Sequence, residues 1–174
     1  MDWTETIVRV IDLRTFSNIW YWLTVAVSWA VASHWLIGVP FDLLYRARKA
    51  DPAHIADLEA ITDVNVRRFT GLVDLAGPYL LGALIFMLTI IGMSGFYYGL
   101  ELGQGLFILA APLTVIMLMN IAVARDLRTH PLRGADLVRR LFRLRLWTQA
   151  IGMIAIFFTA MYGMWFNLDT LFAL

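Results

Sequence analysis

The chain has 174 residues, of which 60% are hydrophobic, and its mean hydropathy of +0.71 excludes an ordinary water-soluble domain of this size. The absence of cysteine excludes disulfides, thiolate zinc sites and cysteine-ligated iron–sulfur clusters. The net charge of +1 conceals a segregation: all but Arg9 and Arg14 of the 14 Lys and Arg residues fall in two stretches, 46–68 and 125–145.

Residues 1–16 carry Trp3, Ile7, Val8, Ile11 and Phe16 at helical spacing among charged residues. They predict an amphipathic helix lying in the membrane interface, either as an anchor or as a docking helix for a partner. There is no basic leader and no small-residue cleavage site, so the apolar run that follows is expected to be retained. That run, about 18–40, is the first predicted span. Trp20, Tyr21 and Trp22 mark one headgroup level and Trp35 the other. Ala26, Ala30 and Ser33 form a stripe of small residues suited to close helix approach. Pro40 is expected to kink this helix as it leaves the membrane.

Residues 41–71 are polar and hold the basic residues Arg46, Arg48, Lys49, Arg67 and Arg68. Asp51-Pro52 reads as an N-cap and first helical residue, opening a helix that can run unbroken into the second span, about 72–98. Gly95 and Gly99 form a small-xxx-small pair near its end, with Tyr97 and Tyr98 at the interface. A short turn over 100–104 makes the second span a hairpin with the third, about 105–124, which contains Pro112. Glu101 is the one other candidate acid, and it reads more readily as a solvated turn residue. Thr129-His130-Pro131 is turn chemistry. From Gly134, apolar residues alternate with arginines in a lead-in helix that should continue into the fourth span, about 146–168.

These elements predict an all-α fold: an integral membrane four-helix bundle, one domain over 1–174, with an N-terminal interfacial amphipathic helix. Basic residues stay cytoplasmic during insertion, so 41–71 and 125–145 are expected inside and both termini in the periplasm of a bacterial inner membrane. The aromatic residues at the span ends agree with that orientation. The arginine clusters abut membrane spans, which argues against nucleic acid as a partner. The lipid bilayer, other membrane subunits and self-association are the expected partners.

Four polar residues fall at similar depth once the spans are laid antiparallel: His34, Asp74, Asn120 and Gln149. They read either as interhelical hydrogen bonds that fix the bundle or as a ligand or proton site. Asp74 also suits the headgroup region. His34 is the only histidine in a span, so a bis-His haem would need a homodimer to pair two copies. No Glu-x-x-His metal pattern, phosphate loop, nucleophile elbow or zinc-protease motif occurs. No catalytic residue, metal ligand or cofactor is therefore assigned.

The stretch Leu13-Arg14-Thr15-Phe16-Ser17-Asn18-Ile19-Trp20-Tyr21-Trp22, then Ser33-His34-Trp35 and Gly38-Val39-Pro40-Phe41-Asp42, with the later Thr148-Gln149-Ala150-Ile151-Gly152-Met153, resembles a small family of alphaproteobacterial four-span proteins. Members sometimes carry a label linking them to the SufBCD iron–sulfur assembly complex. This chain has no cysteine, nucleotide-binding loop or hydrophilic domain to match that label, so the resemblance implies an inner-membrane protein and no more. Three functions follow as expectations. The first is a non-enzymatic accessory or scaffold subunit packed against a larger membrane complex. The second is a homo-oligomeric channel or carrier using the polar layer. The third is a quinone- or haem-associated redox protein using His34.

Overall fold

The computed structural model describes residues 15–49 and 52–172. The interfacial helix expected over 1–16 therefore lies outside the described residues, apart from Thr15 and Phe16 in a turn. The chain is all-α but for one two-residue ladder. Helix α1 is Ile19–His34, strands β1 and β2 are Trp35–Leu36 and Val39–Pro40, and α2 is Phe41–Ala47. Helix α3 is Pro52–Gly92, with a π-helical turn at Met93–Tyr97; α4 is Glu101–Thr129 and α5 is Gly134–Phe172.

Helices α3, α4 and α5 are long and apolar enough to cross a membrane. Helix α1 has 16 residues. At about 1.5 Å per residue it reaches ~24 Å, short of the ~30 Å hydrocarbon core. Helices α3 and α5 contain 41 and 39 residues, so each outruns the membrane. Each has an apolar half and a half rich in charge, continuous as the sequence predicts. Pro52 opens α3 because the first turn needs no donor from it.

The end of α1 departs from expectation. Pro40 kinks no helix; it sits extended at the N-cap of α2, at φ −64° and ψ 142°. The helix has already stopped at His34, and the chain reverses through Ile37 and Gly38, both at positive φ. Residues before proline avoid helical geometry, which favours the extended β2. Positive φ is costly for β-branched Ile37. Its side chain is buried in the arginine-rich half, and Asn65 Nδ2 donates to Gly38 O at 2.9 Å, so packing and a hydrogen bond hold the turn.

Two apolar clusters form the interior. At the arginine-rich end, Leu44, Leu58, Val66, Ala124, Leu127, Leu137 and Leu141 join α2, α3, α4 and α5. At the other end, Phe16, Tyr21, Val25, Trp29, Leu109, Ile116 and Ala155 join α1, α4 and α5. Helix α1 lies along α5 there: Trp29 packs on Gly152, and Phe16 and Trp22 pack on Gly163. The apolar half of α3 is outside this cluster. None of the residues in its most apolar 18-residue stretch is buried.

The α3–α4 hairpin closes on Gly95. A Cβ there would lie 2.5 Å from Gln104 N, and one on Gly103 would lie 2.6 Å from Gly95 N. Two glycines on facing segments thus allow backbone-to-backbone contact. Gly99 does something else. It has φ +71° and open space where a Cβ would be, so it serves the left-handed turn and not helix packing.

Candidate functional site: the polar belt and the α3–α4 groove

Ion pairs stitch the arginine-rich end. Arg133 reaches Asp63 at 2.8 Å and Glu59 at 3.6 Å, and Glu59 also accepts from Gly134 N, so the start of α5 is tied to α3. Arg140 bonds Asp126 at 2.9 Å across α5 and α4. Arg128 pairs with Asp74 across α4 and α3. Arg145 donates to Ser33 O at 3.0 Å, with its guanidinium 3.3 Å from the centre of the Phe41 ring. It satisfies a carbonyl that the end of α1 would otherwise leave open. Planar Arg suits this double role, because one face stacks while the edge donates.

The four polar residues at matched depth have different settings. Asp74 lies on the outer surface of the hairpin, and its partner Arg128 is half-exposed like itself. Asn120 is half-buried and donates Nδ2 to Ile116 O of its own helix at 2.8 Å. Its Oδ1 is buried without a partner among the described residues. Gln149 is half-buried on α5, and His34 is exposed at the end of α1. The structure thus brings Asp74 to Arg128. It shows no hydrogen bond between Asn120 and Gln149 among the described residues. Among those residues, no three His, Asp or Glu side chains gather as a metal site would require.

The small-residue stripe of α1 also has a defined setting. Tyr21, Val25 and Trp29 form the buried face, while Ala26 and Ala30 are exposed and Ser33 is half-buried. The stripe therefore faces away from the bundle.

The opposite end holds a second polar network. Glu101 is half-buried, and its carboxylate accepts from Phe16 N at 2.6 Å, so it is not a solvated turn residue. Tyr21 Oη donates to Gly105 O, and Gln104 Nε2 donates to Gly95 O at 3.0 Å. The Gln104 bond serves a carbonyl in the π-helical turn, where ordinary helical bonding is interrupted. Sequence reasoning singled out Glu101 without its bond to Phe16 N, and missed the contacts of Gln104, Gly103 and Asp126 and the Arg145–Ser33 bond. Only the Gly95–Gly103 contact left a trace, as a cluster of glycines around one short turn.

A groove of about 730 Å³ lies between α3 and α4. Val73, Leu80, Leu84 and Met87 line one wall, Leu118 and Ile121 line the other, and Arg125 stands at the charged end. Val73 to Met87 is 14 residues of helix, about 21 Å. The groove is therefore longer than one leaflet of a ~30 Å hydrocarbon core. On the far side of α3, Gly71 and Gly82 have nothing within 4 Å of a Cβ position.

No protein-family model, no curated protein and no solved structure matches this chain.

Proposed function

We propose that this chain is a non-enzymatic accessory or scaffold subunit of the bacterial inner membrane, which packs against a larger membrane complex. One observation carries the reading: the apolar half of α3 has no buried residue in its most apolar 18-residue stretch. It leaves a groove of about 730 Å³ on one side and open glycines on the other. Gly77, which lines the groove, loses about 1 kcal/mol of helix propensity relative to alanine. Close contact with another helix would recover that cost.

In this reading the bundle has four spans. Helix α1 runs antiparallel to α5, from Trp22 beside Gly163 to Ser33 beside Arg145, and the flanking turns complete its crossing. The arginine-rich end is cytoplasmic and both termini are periplasmic. The resemblance to alphaproteobacterial four-span proteins supports the inner membrane as the location. The partner is another membrane subunit, and its helix lies in the α3–α4 groove.

Native mass spectrometry of gently solubilised protein tests this. The expected result is a co-purifying subunit at fixed stoichiometry, lost in Ala83→Trp while the melting temperature is kept. Ala83 is exposed and lines the groove, so a larger side chain there fills it without entering the core. Isolation of a lone monomer from gently lysed membranes would overturn the proposal. An inactive alkaline phosphatase fusion at the C-terminus, with an active cytoplasmic reporter, would overturn the topology.

A further inference from the structure

The two basic stretches of the sequence meet in space at one crevice. Its volume is about 300 Å³, and it lies between the end of α2 and the arginine-rich half of α5. Arg48, Arg139 and Arg143 rim it, and Val138, Phe142 and Leu146 line it. On α5 the residues form two adjoining rows. Arg139 and Arg143 are four apart, as are Val138, Phe142 and Leu146, so a cationic row runs beside an apolar one. Arg48 closes the crevice from α2, with its guanidinium 4.5 Å from the centre of the Phe142 ring.

The charge balance is unequal. Arg139 pairs with Asp136, whereas Arg48 and Arg143 have no carboxylate partner among the described residues. Two uncompensated guanidiniums therefore flank one concavity, next to residues of the apolar run. Leu146 is exposed where α5 passes from its charged to its apolar half. A phosphate monoanion would engage the rim through the donor forks of arginine. A free phosphate would leave the apolar row unused. An acyl chain would cover it and continue along α5 into the bilayer. Basic pockets between membrane helices are known to hold anionic headgroups.

We propose that this crevice is a specific site for an anionic phospholipid. Its phosphate sits among Arg48, Arg139 and Arg143, and its acyl chain starts on Phe142 and Leu146. The site is independent of the partner-docking reading, because it lies away from the α3–α4 groove.

The test uses the full chain in detergent, titrated with phosphatidylglycerol or phosphatidylcholine and read by native mass spectrometry. The wild type is expected to retain phosphatidylglycerol in preference. Arg48→Gln with Arg143→Gln should weaken its retention about 30-fold, since each interfacial cation removed costs about fivefold. Arg143→Gln alone should give part of that loss with an unchanged melting temperature. Arg67→Gln with Arg68→Gln removes the same charge elsewhere and should have little effect. Equal losses in both double variants would reduce the site to general surface charge and overturn it. Displacement of the lipid by inorganic phosphate alone would overturn the role of the apolar row. Equal retention of phosphatidylcholine would overturn the site outright.

Discussion

The two halves of this bundle are held by different forces. The arginine-rich half is built like a small water-soluble domain. Its large aliphatic side chains, Leu44, Leu58, Leu137 and Leu141, are almost fully buried, and ion pairs surround them. Water drives that burial. The apolar half buries less. It relies on Gly95 against Gly103, Trp29 on Gly152, and hydrogen bonds from Tyr21 and Gln104. In lipid there is no hydrophobic force between helices, so close contact and polar bonds carry association. This is why α3 can be well packed at one end and open at the other.

The contrast is sharpest for leucine. Leu141→Ala, at a fully buried position, should cost about 2–5 kcal/mol, from lost transfer energy plus a cavity. Reversible unfolding in mixed micelles measures it; a cost below 1 kcal/mol would show that this half is not water-driven. At the hairpin, Gly95→Ala should be next in size. Its Cβ meets backbone, which cannot yield like a side-chain tip, and overpacking costs about 1–3 kcal/mol. Gly99→Ala should lose about 1–2 kcal/mol for a different reason, the left-handed φ of +71°. If Gly103→Ala coupled equally to Gly95→Ala and to Gly99→Ala, the distinction between packing and turn would fail.

Smaller effects probe the ion pairs. Asp74→Asn should cost no more than about 1 kcal/mol, because Arg128 and Asp74 are both half-exposed, and the difference should shrink in high salt. A large, salt-insensitive loss would mean that the pair is shielded from water. The smallest effect is expected from Leu75→Ala. Leu75 is 79% exposed on the open face of α3. Its stability should change by less than about 0.5 kcal/mol, the usual range for exposed positions. A marked loss of co-purifying subunit with unchanged unfolding would place the partner on that face and not in the groove.

Much of this was legible in the chain itself. Long apolar runs and the segregation of arginine are local properties, so the helices from Pro52 and from Gly134 could be read as continuous before any contact was known. The turn after α1 could not. Pro40 announces a break, but whether it kinks a helix or follows a reversal depends on Asn65, 27 residues beyond the Gly38 carbonyl it bonds, and on space for Ile37 in the core. The polar layer was legible only as depth along each span. Depth fixes height and leaves rotation about the helix axis open. Asp74 thus faces Arg128, and Asn120 turns to its own helix, for reasons no single span contains. Sequence by itself determined where the long helices lie, which segments are apolar and where positive charge gathers, because those follow from composition and periodicity. Tertiary structure decided which faces meet: Gly95 on Gly103, Arg145 on Ser33, and Arg48 beside Arg143. Those contacts join residues far apart in the chain, and only the packed bundle fixes the distances between them.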